Sequence, residues 1–105
     1  MQYKPMCFKK TVAASGTAER LTTSNLAVVY VSIQAFDDNT NGIFIGDSQV
    51  DKTLFNGIEL NGREAVTFGA IQPGMGMDLI SLKDIWIDAD TTSDGVTVIC
   101  LVPIT

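Results

Sequence analysis

The chain has 105 residues, of which 46% are hydrophobic and 18% are charged, and it contains 9 glycines, 3 prolines and no histidine. This length suits one domain, and this apolar content is enough for a real core, so wholesale disorder is excluded. Because histidine is missing, histidine-based triads, histidine-containing metal sites and imidazole proton shuttles are not expected.

The net charge of −5 is distributed unevenly along the chain. Residues 1–10 hold Lys4, Lys9 and Lys10 and no acid, so the other 95 residues hold the remaining 4 of the 7 basic side chains and all 12 acids. An acidic body repels phosphate groups, which argues against nucleic acids and anionic membranes as partners. No apolar run reaches the roughly 20 residues of a membrane helix, and no signal peptide is expected.

The basic N-terminal segment is the first predicted feature. We expect residues 1–10 to form an extended arm, and residues 11–105 to form a single β-sandwich domain. Such an arm suits an acidic surface on a neighbouring protein, with its three lysines as contacts. The alternative interpretation is a solvated, frayed terminus.

The longest predicted strand runs from Ala27 to Phe36 and is rich in β-branched residues. Its alternation predicts one buried face, formed by Val29, Val31, Ile33 and Ala35. Turn-forming residues follow from Asp37 to Gly42, and an apolar run resumes at Ile43–Ile45. Two extended runs around an Asn-Gly turn predict a β-hairpin.

Similar turn signals divide the rest of the chain at Asn56-Gly57, Asn61-Gly62 and Asp94-Gly95. Strands are predicted at 58–60, 63–68, 85–89 and 96–102, with weaker candidates at 8–14 and 20–23. Only residues 78–83 have the pattern of a short helical turn. The sequence therefore predicts an all-β fold, an antiparallel sandwich or small barrel of about seven to nine short strands.

The last predicted strand is apolar on both faces. One face consists of Val96, Val98, Cys100 and Val102, while Ile99 and Leu101 make the opposite face apolar as well. Such a strand needs cover on both sides, from segment 78–83 or from another subunit. Large side chains on outer faces often mark an interface, which raises the same question for Tyr30, Phe36, Phe44 and Trp86.

Two groups of polar residues resemble binding or catalytic sites. Residues 37–42 resemble the opening of a calcium-binding EF-hand loop, but Ser48 stands where that loop needs a glutamate, so a plain turn is favoured. The acids Asp84, Asp88, Asp90 and Asp94 have the chemistry of a calcium or glycosidase site, but solvated acids at strand edges and turns are favoured.

Cysteines and loops give no sign of catalysis. Cys7 and Cys100 are interpreted as free buried residues, with a bridge between the first and last strands left open. Segment 74–77 lacks the spacing of a phosphate-binding loop, and its two methionines suit either partner contacts or the core. No serine or cysteine has a visible activating base, so we expect no enzyme, no cofactor and no metal.

Several short sequence segments resemble segments of small virion β-sandwich proteins of tailed bacteriophages. The likeness covers about residues 10–102, beginning with Lys10–Leu21 and a strand at Val31–Ala35. Further similar segments are Ile43–Gly46, Gly46–Ser48, Gly57–Leu60, Glu64–Thr67, Leu82–Ala89 and Asp94–Val98. This resemblance implies a structural protein rather than a catalyst.

In particular, it implies a capsid decoration (cement) protein on the outside of the virion, made in the host bacterial cytoplasm. Its expected partners are the major capsid protein and further copies of itself, as a trimer or dimer. Candidate contact residues are Lys4, Lys9, Lys10, Tyr30, Trp86, Ile99 and Leu101. The alternatives are a tail or head–tail junction component, or a carbohydrate- or receptor-binding module that uses Trp86 or Tyr30.

Overall fold

Ten antiparallel strands make up most of the regular structure in residues 2–69 and 79–104, the residues that the computed structural model describes. The strands are β1 (Gln2–Thr11), β2 (Glu19–Arg20), β3 (Ala27–Val28), β4 (Tyr30–Ala35), β5 (Ile43–Gly46), β6 (Ile58–Leu60), β7 (Ala65–Gly69), β8 (Ile80–Ser81), β9 (Trp86–Ala89) and β10 (Gly95–Ile104). The one helical element of these residues is a 3-10 turn at Leu82–Asp84. The all-β prediction is confirmed. None of the described helical residues forms a helix long and apolar enough to cross a bilayer.

Two four-stranded sheets and one small pair of strands organise the chain. The first sheet has the order β1-β10-β4-β7, the second has the order β2-β9-β5-β6, and β3 pairs with β8. The chain passes directly between the two large sheets at β1–β2, β4–β5, β6–β7 and β9–β10. The core therefore collects side chains from both large sheets, as in a sandwich.

Alternate side chains of the central strands point into this core, as the sequence pattern predicts. From the first sheet come Val31, Ile33, Val96 and Val98, and from the second come Ile43, Ile45 and Ile87. Each is almost completely buried. Full burial of one such side chain stabilises the fold by about 1.5–3 kcal/mol, so these residues provide the main driving force.

The predicted hairpin between residues 27 and 45 is wrong. β4 pairs with β10 and β7, while β5 pairs with β9 and β6, so the two runs lie in different sheets. The loop between them is tied instead to the start of β10. The Asp94 carboxylate accepts hydrogen bonds from the N–H groups of Thr40 and Asn41 at 2.9 and 3.0 Å. Asn39 exchanges two hydrogen bonds with the backbone of Gly95, at 2.8 and 3.0 Å.

The predicted extended strand at 27–36 is also divided in two. β3 ends at Val28 and β4 begins at Tyr30, with the N–H group of Val29 donating to the carbonyl oxygen of Leu101 at 3.0 Å. Burial of the four predicted apolar residues is confirmed, because Val29, Val31, Ile33 and Ala35 are each at most 2% exposed.

Residues 2–10 belong to the first sheet rather than to an arm outside the domain. They are extended, as predicted, but they pair with β10 along its whole length, from Gln2 opposite Ile104 to Thr11 opposite Gly95. Val12 exchanges backbone hydrogen bonds with Ser93 and Asp94, so even-numbered residues of β1 direct their backbone groups toward β10. Pro5 is odd-numbered, and its missing N–H therefore falls on the free edge.

Glu19 joins the two large sheets at the edge formed by β1 and β2. Its carboxylate accepts hydrogen bonds from the N–H groups of Ala13 and Ala14, each at 2.9 Å, and from Lys10 Nζ at 2.9 Å. Burial raises the pKa of Glu19, but these hydrogen bonds and the Lys10 charge outweigh it. The net result is a pKa below the ordinary value of the group.

We expect Glu19→Gln to lower the free energy of unfolding by about 1–2 kcal/mol near neutral pH, because charge-assisted hydrogen bonds are lost. A lowered folded-state pKa stabilises the protein above the unfolded-state pKa, and this stabilisation is lost as pH falls through the folded-state value. Urea unfolding of both proteins should therefore give a difference that shrinks in acid. Glu59→Gln is the matched control, since Glu59 is exposed and 3.9 Å from Lys52 Nζ. A Glu19→Gln difference that stayed constant with pH would contradict this account.

Candidate functional site

The outward side of the first sheet carries the apolar surface that the sequence predicts. Val96, Val98 and Cys100 are buried, so the alternate residues of β10 face outward. We call the outward side chains of β1, β10 and β4 the outer face. It consists of Tyr3, Pro5, Cys7, Lys9, Tyr30, Ser32, Gln34, Thr97, Ile99, Leu101 and Pro103.

Strand register aligns the apolar members of this outer face in neighbouring rows. Leu101 lies between Pro5 of β1 and Tyr30 of β4. In the next row, Ile99 lies between Cys7 and Ser32. Ile99 is 48% exposed, which is unusual for an isoleucine at the centre of a sheet, while Leu101 and Tyr30 are half-buried. The following row is polar and begins with Lys9.

Four of the seven predicted contact residues are brought together here: Lys9, Tyr30, Ile99 and Leu101. Lys4 and Lys10 lie on the other side of β1, where Lys10 is committed to its ion pair with Glu19. Trp86 lies on the second sheet, where the Arg20 guanidinium stacks 4.6 Å from the centre of its ring. Thus the three remaining residues do not belong to the outer face.

The acidic cluster is not the set of solvated carboxylates that the sequence favours. Asp84 and Asp90 are exposed, but Asp88 and Asp94 are only 2% and 5% exposed. Each buried carboxylate accepts backbone hydrogen bonds, from Lys52 and Ala89 for Asp88. Asp88 and Asp94 are buried because two loops fold onto them and supply N–H donors that the sequence pattern does not show. Their role is to fasten loops.

Residues 37–42 do not gather ligands for a cation. The Asp37 carboxylate binds the Arg63 guanidinium at 2.7 and 3.0 Å, and Asn41 donates to the hydroxyl of Thr91 at 2.8 Å. With Asn39 turned toward Gly95, the oxygens of this loop do not converge. In residues 2–69 and 79–104, no group of three or more acidic or cysteine side chains is placed to hold a metal ion.

The two cysteines are free, and they differ in their surroundings. Cys7 is exposed on the outer face, whereas Cys100 is buried in the core. They lie on neighbouring strands but point to opposite sides of the sheet, a geometry that does not form a disulfide. Burial raises the pKa of the Cys100 thiol, and the nearby Cys7 adds to this effect. The prediction of buried thiols is thus confirmed for Cys100 and wrong for Cys7.

The loop from Asp47 to Gly57 is a functional candidate that sequence reasoning missed. It folds back over the second sheet, where Phe55 packs edge-on against Phe44 and Lys52 Nζ lies 5.6 Å from the Phe44 ring. The loop covers Phe44, but its own residues Leu54 and Phe55 are 74% and 76% exposed. We call these two residues the loop tip. The available sequence signal is an apolar pair directly before the Asn56-Gly57 turn.

An apolar cavity of about 290 Å³ opens where this loop joins β5 and β6. Ile45, Val50, Ile58 and Phe68 supply most of its lining, so both large sheets contribute to it. This volume is at the lower limit of small-molecule pockets and suits one or two side chains. The glycine- and methionine-containing segment 74–77 lies outside the described residues. Comparison of the chain with protein-family models, with curated proteins and with solved structures gives no match.

Proposed function

We propose that this protein is a capsid decoration protein of a tailed bacteriophage, which binds the major capsid protein through its outer face and stabilises the assembled shell. The observation that carries the proposal is the exposed Ile99 on the central strand β10, next to the row that Leu101 and Tyr30 form. The resemblance of residues 10–102 to small phage virion proteins supports the same role. Oligomerisation on the capsid surface belongs to this proposal.

The chemistry of the outer face suits a protein partner. An apolar centre with a polar margin is the usual composition of a binding patch, and aromatic and aliphatic anchors contribute most of its energy. Lys9 lies beside this centre and favours an acidic surface on the shell. A standard interface of about 800 Å² per partner would use roughly one eighth of the 6142 Å² surface of this chain.

Stabilisation of the shell follows from mass action. A protein that binds the assembled lattice, but not the separated subunits, shifts the equilibrium toward the assembled form. Neither a catalytic step nor a cofactor is needed for this. A tail or head–tail junction role would use the same outer face, whereas glycan stacking on Trp86 is disfavoured because Arg20 already stacks on its ring.

The test compares two nearly isosteric substitutions, Ile99→Thr and Ile99→Val, in binding to purified shells of the encoding phage. Both residues are β-branched and suit a strand, but only valine keeps the apolar surface. We expect Ile99→Thr to weaken binding about tenfold and Ile99→Val to change it less than about twofold. Cosedimentation with shells, and with purified tails as the second arm, measures this.

Equal affinities of the two variants for shells would show that the outer face is not the contact. Wild-type protein that bound tails and not shells would replace the decoration role by the tail role. Wild-type protein that bound neither particle would overturn the proposed function as a whole.

A further inference from the structure

Among the described residues, the large exposed apolar side chains other than Ile99 and Leu79 lie at or beside two opposite edges of the sandwich. β1 and β2 share one edge, as the 2.9 Å contact between Lys10 and Glu19 shows. β6 and β7 share the other edge, where Ile58 and Phe68 line the same cavity. At the first edge Met6 and Ile104 are exposed, with Tyr3 beside them on the outer face. At the second edge Ile58 and Phe68 are exposed, and the loop tip lies next to them, over β5.

The two edges carry opposite charge. The strands of the first edge, β1 and β2, contain four basic residues and one acid, Glu19, which is paired with Lys10. Residues 47–64, around the second edge, contain four acids and two basic residues. Both basic residues are already paired: Lys52 lies 3.1 Å from Asp90, and Arg63 lies 2.7 Å from Asp37. We therefore call them the basic edge and the acidic edge.

The loop next to the acidic edge is held in a fixed conformation by its own hydrogen bonds. Asp51 Oδ1 accepts hydrogen bonds from the N–H groups of Thr53 and Leu54, and Asp51 and Asn56 exchange backbone hydrogen bonds at 2.9 and 3.0 Å. Phe55 is held at φ 56°, a conformation that is costly for an aromatic residue. A loop tip that is already fixed in this way loses little conformational entropy when a partner binds.

We propose that the basic edge of one copy docks on the acidic edge of a second copy, with side chains of the basic edge covering the loop tip and entering the cavity. Contact between two basic edges would bring lysines together, and contact between two acidic edges would bring carboxylates together. Opposite edges avoid both repulsions. Each copy then has one edge of each kind, so the contact is head-to-tail and repeats until a ring closes. This contact assigns surfaces to the oligomerisation that belongs to the proposed function, and it does not depend on the binding of shells through the outer face.

The experiment removes one edge at a time. Met6→Glu places an acid on the basic edge, and Met6→Gln is a second variant without added charge. Phe55→Asn removes the ring from the acidic edge, and asparagine tolerates positive φ, so the loop is expected to keep its fold. Ile99→Thr on the outer face is the matched control. Circular dichroism checks folding, and native mass spectrometry measures the number of copies.

Wild type and Ile99→Thr are expected to form the same closed oligomer, with dissociation that increases in salt because opposite charges are screened. Each edge variant alone is expected to be a monomer. An equal mixture of Met6→Glu and Phe55→Asn is expected to form a one-to-one dimer, because one intact edge of each kind remains.

Three results would overturn the proposal. One is a monomeric wild type at concentrations where interfaces of standard size associate. Another is an edge variant that still self-associates alone, which indicates contact between like edges. The last is a mixture that stays monomeric. Loss of shell binding in Ile99→Thr with an intact oligomer would leave this proposal standing, so its failure and that of the proposed function are separable.

Discussion

Replacing Gly95 with alanine is expected to lower the free energy of unfolding by about 3 kcal/mol, because the added methyl group has no room. A Cβ atom there would lie 2.9 Å from Phe36 Cε2 and 3.0 Å from the Cα of Thr11, and closer still to the carbonyl oxygen of Lys10. Two of these atoms are backbone, so they cannot move without distorting the pairing of β1 with β10.

Gly16→Ala is the matched control for this prediction. Gly16 has φ 79°, but a Cβ atom there meets nothing within 4 Å, so only the backbone conformation resists the change. We expect a cost of about 1 kcal/mol. Urea unfolding of the two variants and the wild type measures both values. If the two alanines cost the same, steric crowding at Gly95 is not the source of the loss.

Asp94→Ala is expected to lower the free energy of unfolding by about 2–3 kcal/mol. The carboxylate is 5% exposed, and its two oxygens accept the N–H groups of Thr40 and Asn41. Its removal leaves these two donors without their acceptor in a partly buried position, which costs more than the net value of the hydrogen bonds. The loop between β4 and β5 then loses its attachment to the start of β10.

For this variant the control is Asp38→Ala, which removes an exposed carboxylate from the same loop. Surface substitutions of this kind change stability within about 0.5 kcal/mol. Thermal and urea unfolding, read at one pH, compare the two proteins with the wild type. An Asp94→Ala protein as stable as Asp38→Ala would show that the loop is held by other contacts.

The all-β class and the buried face of β4 could be predicted, because alternation along a strand depends on local sequence alone. The partners of the strands could not. An Asn-Gly turn after Ala27–Phe36 suits a hairpin, but the loop crosses to the second sheet because Asp94 and Asn39 hold it beside β10. Those contacts join residues more than 50 positions apart, so no local pattern contains them.

The candidate surfaces, too, could be predicted from the sequence only in part. The apolar pair Ile99 and Leu101 was visible on one strand, and register then placed Tyr30 and Lys9 beside it. The burial of Asp88 depends on the docking of the loop that contains Lys52, and the exposure of Leu54 and Phe55 depends on the same docking. A prediction from periodicity had no means of placing that loop.

The free edge of β1 has a consequence for the behaviour of the protein at high concentration. No strand of the described residues pairs with the outer side of β1. Ten extended residues with such an edge would ordinarily serve as a template for amyloid growth, in which each new chain adds one strand. Pro5 interrupts the row of outward donors near its middle, and Lys4 and Lys9 place like charges on strands that would stack in register. These side chains therefore oppose the growth of a backbone ladder from this edge when the protein is concentrated.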